Sequence, residues 1–219
     1  MKTTEYSRIA LIGANGKAGS AILSALLNSG FRVRALVRQP ERLQSAHPLL
    51  EVRIGDATAP GVLEALLDGC DVVINAASNT NNPAPISSFI TRSVLANLQS
   101  RQEAGSGARY FVLTGKTVPC AGDTFSAGTL MQRFILNRMF PAIMKDKRAE
   151  LALLQKSGVN WTLIRCPLIV SGDPVAFRAA KNACGGKSVT AANIAEFIIH
   201  ELDDREWERT APFVYAVLK

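Results

Sequence analysis

The sequence has few of the residues that build metal sites, disulfide frameworks and membrane spans. Its 219 residues include two histidines, His47 and His200, and four cysteines, at positions 70, 120, 166 and 184, with no Cys-x-x-Cys spacing. Cysteines so far apart indicate free structural thiols, and no bound metal is expected. No run of 18 apolar residues occurs, and residues 1–10 lack the apolar core of a secretory signal. We therefore expect no membrane span, no membrane partner and a cytoplasmic protein.

Acidic residues are also in the minority, with 18 Asp and Glu against 25 Lys and Arg, a formal net charge of +7. Such an excess suggests an anionic partner. The basic residues are scattered, however, and KDKR at 145–148 is the one local cluster. No DNA-binding or RNA-binding motif is present, so a small phosphate-bearing ligand is expected and nucleic acid is not.

Apolar runs of strand length recur along the chain with helical stretches between them. They lie at 8–14, 31–37, 50–54, 71–77, 109–115, 161–165 and 212–217. Even spacing of this kind predicts a parallel sheet with helical crossovers. We expect an α/β protein with a Rossmann-type, doubly wound parallel sheet, helices on both faces and a single domain over residues 1–219. Gly30 is expected to end the first helix.

Three glycines interrupt an apolar run where the first predicted strand gives way to a helix. The segment LIGANGKAGSAIL, residues 11–23, carries Gly13, Gly16 and Gly19. A dinucleotide pyrophosphate needs backbone N–H donors with no side chain in the way, and a helix N-terminus supplies them with a positive dipole end. Gly13 permits the tight turn, Gly16 lets the backbone approach the phosphates, and Gly19 lets the helix pack on the strand. The turn therefore predicts a dinucleotide site.

The end of the second predicted strand favours NADP(H) over NAD(H). Arg38 stands at the strand end and Arg42 one turn later, with no Asp or Glu where a ribose-binding carboxylate is expected. Two guanidinium groups suit a 2′-phosphate through charge-assisted hydrogen bonds. The alternative is that both arginines are solvated surface residues.

The spacing of the turn is GxxGxxG in place of GxGxxG, and it resembles the extended and atypical branches of the short-chain dehydrogenase/reductase superfamily. Four later segments resemble the same superfamily: GDATAP at 55–60, NAAS at 75–78, KDKRAELALLQKSGVNWTLIRCPLI at 145–169 and GGKSVTAANIAEFIIHEL at 185–202. The resemblance covers nearly the whole chain. Its second half is similar to small atypical members, the NmrA-like and NAD(P)H-binding proteins and the biliverdin reductase B/flavin reductase group.

The resemblance implies how a cofactor is held. Asp56 would meet the adenine amino group and Ala57 its ring, while residues 75–78 would pass under the ribose and nicotinamide. The cofactor-binding residues expected from the turn, the arginines and the resemblance together are Gly13, Ala14, Asn15, Gly16, Lys17, Ala18, Gly19, Arg38, Arg42, Asp56, Ala57, Asn75, Ala76, Ala77, Ser78, Thr114, Lys147, Pro167 and Leu168.

The residue that donates a proton in this superfamily is missing. Carbonyl reduction there uses a Tyr-x-x-x-Lys pair, whose lysine lowers the pKa of the tyrosine. Lys147 falls at the lysine position, but Ile143 stands four residues earlier. Two candidate catalytic residues remain: Lys147, and Thr114 at the superfamily's serine position. Lys116 could reach an acidic substrate. For each of these residues the alternative is a structural or surface role. The literal match YAVLK at 215–219 lies in a predicted strand at the chain end and is not expected to act.

Hydride transfer does not require the tyrosine when the acceptor is a flavin or quinone, because such an acceptor takes its proton from water. An NADPH-dependent reductase of a small-molecule hydride acceptor is the first hypothesis, with pocket elements mainly within 78–90, 116–145 and 167–188. A non-catalytic NADP(H) redox sensor, as the NmrA-like resemblance implies, is the second. A sugar-nucleotide epimerase or dehydratase is a lesser third, since the chain ends before a substrate-binding lobe. A monomer or homodimer is expected.

Overall fold

The computed structural model describes residues 8–43, 46–77, 86–103 and 107–217, with the backbone alone at 102 and 103. Within these ranges the strands are β1 Ile9–Ile12, β2 Val33–Val37, β3 Leu50–Ile54, β4 Val72–Asn75, β5 Arg109–Gly115, β6 Asn160–Cys166, β7 Leu168–Val170, β8 Phe177–Ala180, β9 Ser188–Thr190 and β10 Phe213–Ala216. The helices are α1 Lys17–Asn28, α2 Val62–Leu67, α3 Ile86–Glu103, α4 Ala127–Met139, α5 Pro141–Lys156 and α6 Ala191–Asp204. No helix in the described ranges is long and apolar enough to cross a membrane.

The main sheet has the strand order β3-β2-β1-β4-β5-β6-β10-β8 over the described residues. Its pairings are parallel from β3 to β10, and β8 joins β10 antiparallel at the edge. The strand order reverses between β1 and β4, because the chain builds outward to β3 on one side and then outward from β4 on the other. The predicted Rossmann-type, doubly wound sheet is confirmed, and ligands in such sheets bind at this reversal, beyond the strands' carboxyl ends.

Helices cover both faces of this sheet. One core cluster joins Leu26 of α1 and Ile198 of α6 to the strands, and the other joins Val94 of α3 and Leu154 of α5 to the opposite face. Strands buried on both faces read as continuous apolar runs instead of alternating ones. This is why seven strands were visible in the sequence as unbroken segments.

The helix α1 ends as its sequence predicted. Gly30 has a φ of +83°, which is the left-handed region that favours glycine. Its N–H donates to the carbonyl of Leu27, and the N–H of Phe31 donates to that of Leu26, each at 3.0 Å. These two bonds form a Schellman motif, which satisfies the last carbonyls of the helix.

Three of the scattered arginines are buried in the fold. Arg34, Arg109 and Arg165 each expose 5% or less of their surface. Arg109 pairs with Glu201 and Glu208, with each N–O distance 3.2 Å. Charges neutralised inside the protein cannot attract an external anion. The number of arginines in the sequence therefore overstates the positive charge that is available to an external anion.

Candidate functional site

A cavity of about 530 Å³ lies at the carboxyl ends of the parallel strands. Its lining follows the ends of β1 to β6 in turn and adds residues of α3 and α5. The lining residues are Ile12, Gly13, Asn15, Gly16, Lys17, Ala18, Leu36, Val37, Arg38, Gln39, Arg42, Gly55, Asp56, Ala57, Ala76, Ala77, Ile86, Ile90, Leu113, Thr114, Gly115, Lys147, Cys166, Pro167 and Ile169. This volume is typical of a small-molecule site, and the position is the one that the strand order favours.

The glycine turn is required by the backbone around it. Gly13 has a φ of +86°, and a Cβ there would lie 2.7 Å from the backbone nitrogen of Ala77. A Cβ on Gly19 would lie 2.0 Å from the carbonyl oxygen of Gly13. Neither backbone group can easily move aside, because the Gly13 carbonyl belongs to the turn and the Ala77 nitrogen to the segment that directly follows β4. Gly19 thus allows α1 to approach β1 closely, while Gly13 brings β1 and β4 together under the cavity.

The N-terminus of α1 opens into the cavity with its donors unused by side chains. Gly16 is the N-cap residue, it makes no side-chain cap, and the first turn carries no acidic residue. The positive end of the helix dipole and the free N–H groups of the first turn therefore suit an anion. Lys17 adds a positive charge at the same place, and its Nζ lies 3.5 Å from the carbonyl oxygen of Ile169.

The end of β2 brings two guanidinium groups to the cavity wall. Arg38 and Arg42 are exposed and line the cavity together with Gln39. Arg42 Nη1 donates to Gln39 Oε1 at 3.1 Å, and Asn15 Nδ2 donates to the Gln39 carbonyl at 2.8 Å. These bonds fix the loop after β2 against the glycine turn. Asp56 is the one carboxylate among the described lining residues, and it lies in the turn after β3.

Asp56 is held in its ionised form. Its Oδ1 accepts from Thr58 Oγ1 at 2.6 Å and from the Thr58 N–H at 2.8 Å. These hydrogen bonds, with a smaller contribution from the positive charge of Arg38, hold the pKa of Asp56 below its ordinary value. A carboxylate at this point is an acceptor for an amino group.

Two buried polar atoms in the cavity wall lack partners within the described structure. Thr114 exposes 8% of its surface, and its Oγ1 has no hydrogen bond. The Asn15 Oδ1 is also buried and accepts no hydrogen bond within the described structure. A buried polar group without a partner costs free energy, so these two atoms are candidates for hydrogen bonds to a bound molecule or to water.

Lys147 lies at the end of a buried hydrogen-bond chain that crosses four elements. Its Nζ donates to Glu150 Oε2 at 2.9 Å, and Glu150 Oε1 accepts from Thr91 Oγ1 at 3.1 Å. The Thr91 hydroxyl is 3.0 Å from the Tyr110 hydroxyl, which accepts from Asn75 Nδ2 at 3.3 Å. Burial raises the pKa of Tyr110 far above its ordinary value, so its hydroxyl stays protonated. The chain fixes the lysine of α5 relative to the end of β4.

Several residues predicted for the site are not among the described lining residues of the cavity. Ala14, Gly19, Asn75 and Leu168 are absent from the described lining: the first two are buried in the turn, Asn75 is bonded to Tyr110, and the Leu168 side chain is 69% exposed at the start of β7. Ser78 lies outside the described residues. A residue next to a glycine turn or strand end can support the backbone without reaching the cavity.

Of the three predicted pocket segments, two contribute to the described lining. Ile86 and Ile90 come from 78–90, and Pro167 and Ile169 from 167–188. The segment 116–145, which includes Lys116, supplies none of the described lining residues, because its helix α4 packs beside α5 on the outside. The sequence did not single out Gln39, Ile86 or Ile90 as site residues. For Gln39, the one available signal was that it directly follows Arg38, a residue already expected at the site.

The literal Tyr-x-x-x-Lys match does not contribute to the described lining. Tyr215 lies in β10, with its ring against Gly186, where an added Cβ would be 2.8 Å from the Tyr215 Cβ. Lys219 lies outside the described residues. At the superfamily position on α5, Ile143 is half-buried one turn before Lys147.

The residues present fit a phosphate-bearing dinucleotide. An uncapped helix N-terminus, two glycines of the turn, Gly13 and Gly16, two guanidinium groups and two unpartnered polar atoms line one cavity. No group of three or more His, Cys, Asp or Glu in the described ranges could hold a metal ion.

Comparison with known families finds one match that covers most of the chain. A family model described as NAD(P)H-binding matches residues 13–205. The match includes the glycine turn, the arginines after β2, and Lys147.

Two curated proteins match shorter stretches. A 3β-hydroxysteroid dehydrogenase/Δ5→4-isomerase of Mycobacterium tuberculosis is 40% identical over 76 residues, which are 35% of this chain and 20% of that protein. A ketoreductase of Aspergillus fumigatus is 34% identical over 100 residues, 43% of this chain and 30% of that protein. The chain thus spans less than a third of the length of these relatives.

Solved structures share the fold over nearly the full chain. A short-chain dehydrogenase/reductase of Veillonella parvula in complex with NADP has a TM-score of 0.76 at 16% identity, and covers 96% of this chain and 94% of its own. A candidate NADH-flavin reductase of Streptococcus pneumoniae has a TM-score of 0.75 at 21% identity, with 96% and 100% covered. At these identities the likeness establishes the fold alone.

Proposed function

The chain belongs to the NAD(P)H-binding family, and on that premise we propose that it is an NADPH-dependent reductase of a flavin, quinone or similar conjugated small molecule. One observation carries this proposal: a cavity suited to a dinucleotide ends at Lys147, with Ile143 one turn before it where an acid would stand. An acceptor that needs a protein-bound proton donor is not suited to such a site. An acceptor that takes a hydride directly is suited to it.

The cavity wall offers a place for each part of the cofactor. The N–H groups at the start of α1 would hold the pyrophosphate, and Arg38 and Arg42 would hold a 2′-phosphate. Asp56, ionised through its bonds to Thr58, would accept from the adenine amino group. Arg38 and Arg42 line the cavity, whereas Glu41, which lies between them in the sequence, is exposed and does not line the described cavity; this is the reason for preferring NADP(H) to NAD(H).

The chain's own residues position the reacting groups and exclude water. A bound nicotinamide supplies a hydride. The Thr114 Oγ1 offers a hydrogen bond that no described residue uses, and Lys147 Nζ keeps two donors beyond the one given to Glu150. Ile86, Ile90 and Leu113 form an apolar wall, which favours a flat conjugated ring and keeps solvent from the hydride path. The remaining proton comes from water that reaches the reduced acceptor after the hydride has been transferred, since the side chain at the tyrosine position, Ile143, carries no acidic proton.

The test is acceptor-dependent oxidation of NADPH, followed at 340 nm with FMN, FAD and soluble quinones. We expect turnover with at least one of them. Thr114→Val should lower kcat/KM about tenfold, since one hydrogen bond contributes about 1–1.5 kcal/mol. Thr117→Val is the matched control, a buried threonine three residues along that does not line the described cavity, and it should leave kcat/KM unchanged. No NADPH loss across the acceptors would refute the proposal.

A redox sensor without turnover is the second candidate, and the observation that favours it is again Ile143. A sensor must distinguish the two oxidation states of the cofactor by affinity. Calorimetric titration with NADPH and NADP+ separates the two functions. A difference of tenfold or more between the two affinities, without turnover on any acceptor, would favour the sensor; equal affinities with turnover would favour the reductase.

A further inference from the structure

The helix α4 carries its apolar side chains on the outside of the protein. Of its 13 residues, Thr129 is the one described as buried. Phe134 is 74% exposed and Met131 66% exposed, and Leu130, Ile135 and Met139 are exposed as well. These positions recur at intervals of three and four, so they share one side of the helix. Phe140, which follows α4, is also exposed.

The inner side of α4 carries polar residues beside one half-buried apolar residue, Leu136. The Thr129 hydroxyl is 3.1 Å from the Ser126 hydroxyl, and Asn137 Oδ1 accepts from Arg148 Nη1 of α5 at 2.8 Å. The Arg133 guanidinium lies 4.5 Å from the centre of the Phe125 ring. A surface helix of a globular protein normally buries its apolar side and exposes its polar side. The reversed arrangement in α4 indicates that its outer side contacts an apolar medium or partner.

The exposed charges around this helix have one sign. Residues 121–156 contain three carboxylates, Asp123, Asp146 and Glu150. Each is buried: Asp123 pairs with Arg165, Asp146 accepts from two backbone N–H groups of α3, and Glu150 pairs with Lys147. The exposed charges of the segment are all basic and include Arg138, Lys145 and Arg148. The surface is therefore complementary to an anionic one.

We propose that α4 and Phe140 form an anchor that docks the protein on the surface of an anionic lipid membrane. In this arrangement α4 lies parallel to the membrane, with Phe134 and Met131 in the acyl boundary and the basic residues at the lipid headgroups. A second copy of the chain is disfavoured as the occupant, since a two-fold interface on this side would bring two basic surfaces of the same sign together. A projecting helix with long, flexible side chains also suits a deformable surface.

Vesicle co-sedimentation tests the anchor, with phosphatidylcholine vesicles prepared with and without phosphatidylglycerol. The wild-type protein should bind the anionic vesicles more tightly than the neutral ones, and added salt should weaken that binding. The double variant Met131→Ser, Phe134→Ser should lower the partition coefficient about tenfold or more, because two large apolar groups are lost from the interface. Ile54→Ser is the matched control, at 68% exposure on β3, and should bind as the wild type does.

Three results would overturn the anchor. They are no binding to anionic vesicles at low salt, undiminished binding by the double variant, and a concentration-dependent dimer in light scattering that the double variant abolishes. The last would assign the face to a second copy. Because the altered side chains are exposed, far-ultraviolet circular dichroism should show an unchanged fold in both variants. The measurement needs neither cofactor nor acceptor, so its outcome is independent of the reductase proposal.

Discussion

Arg38 offers the sharpest test of cofactor choice, because its guanidinium group lines the cavity and is exposed. We predict that Arg38→Ala weakens NADPH binding and leaves NADH binding unchanged. A hydrogen bond to a charged group contributes about 1.5–3 kcal/mol. Because Arg38 is exposed and its charge is screened by solvent, we expect a loss of binding free energy near the lower limit of this range. That loss corresponds to about a tenfold rise in the Kd for NADPH.

Arg42 should contribute less than Arg38. Its Nη1 already donates to Gln39 Oε1, so part of its donor capacity is in use, and we expect Arg42→Ala to cost about threefold. The double variant should lose roughly thirtyfold if the two effects add, although neighbours on one phosphate often couple. The dissociation constants of both cofactors can be measured by calorimetry or nicotinamide fluorescence.

Arg53→Ala is the control for general loss of positive charge. Arg53 is on the adjacent strand β3, its side chain is 53% exposed, and it does not line the described cavity. Its replacement should change neither dissociation constant by more than about twofold. The difference between NADPH and NADH should also shrink as salt rises. Equal weakening of both cofactors by Arg38→Ala would refute the assignment of the 2′-phosphate to this arginine.

Two further predictions concern the turn after β1 and the turn after β3. Gly19→Ala places a Cβ 2.0 Å from the Gly13 carbonyl oxygen, and should lower the free energy of unfolding by about 3 kcal/mol in urea denaturation; Gly128→Ala, with open space around the site, should change it by less than about 1 kcal/mol. Thr58→Val removes the strongest bond to Asp56, so the carboxyl pKa measured by NMR should rise. Because the folded-state pKa is lowered, Asp56 stabilises the fold at pH values above its unfolded pKa, and this contribution is lost as the pH falls through the folded value. An unchanged pKa in Thr58→Val would contradict this account.

The parts of the fold visible in the sequence are those set by local chemistry. The seven predicted segments are strands of the main sheet, and most of them are buried on both faces, which leaves a nearly unbroken apolar run in each; the edge strand β3, LEVRI, is the exception, since it is partly exposed. The edge strand β8 was not predicted, since FRAA at 177–180 has one large apolar side chain and its pairing partner β10 lies more than thirty residues later. The two-stranded sheet of β7 and β9 was not predicted either, since each strand has three residues, too few to show a periodic pattern.

The site divides in a similar way. Gly13 and Arg38 were expected at the site and both line the cavity, because each directly follows a strand whose carboxyl end faces it. Ile86 and Ile90 reach the cavity through the docking of α3 on the sheet, which no local pattern encodes. The partners of Lys147 are a mixed case: Glu150 is three residues away, whereas Thr91 and Tyr110 come from distant segments. The outward apolar side of α4 was not predicted, since periodicity alone does not tell which side of a helix faces the core.

The bond chain from Lys147 to Asn75 links α5, α3, β5 and the end of β4 by buried hydrogen bonds, and we expect these elements to open together. A local opening that separates α5 from α3 would break the Glu150–Thr91 bond and release the lysine from the cavity at the same moment. Amide protons on α5 and on the buried turns of α3 should therefore exchange with solvent at a common opening free energy. Selection for a stable helix pair and selection for a correctly placed lysine would then act on the same residues, so a substitution at Thr91 or Tyr110 would affect both.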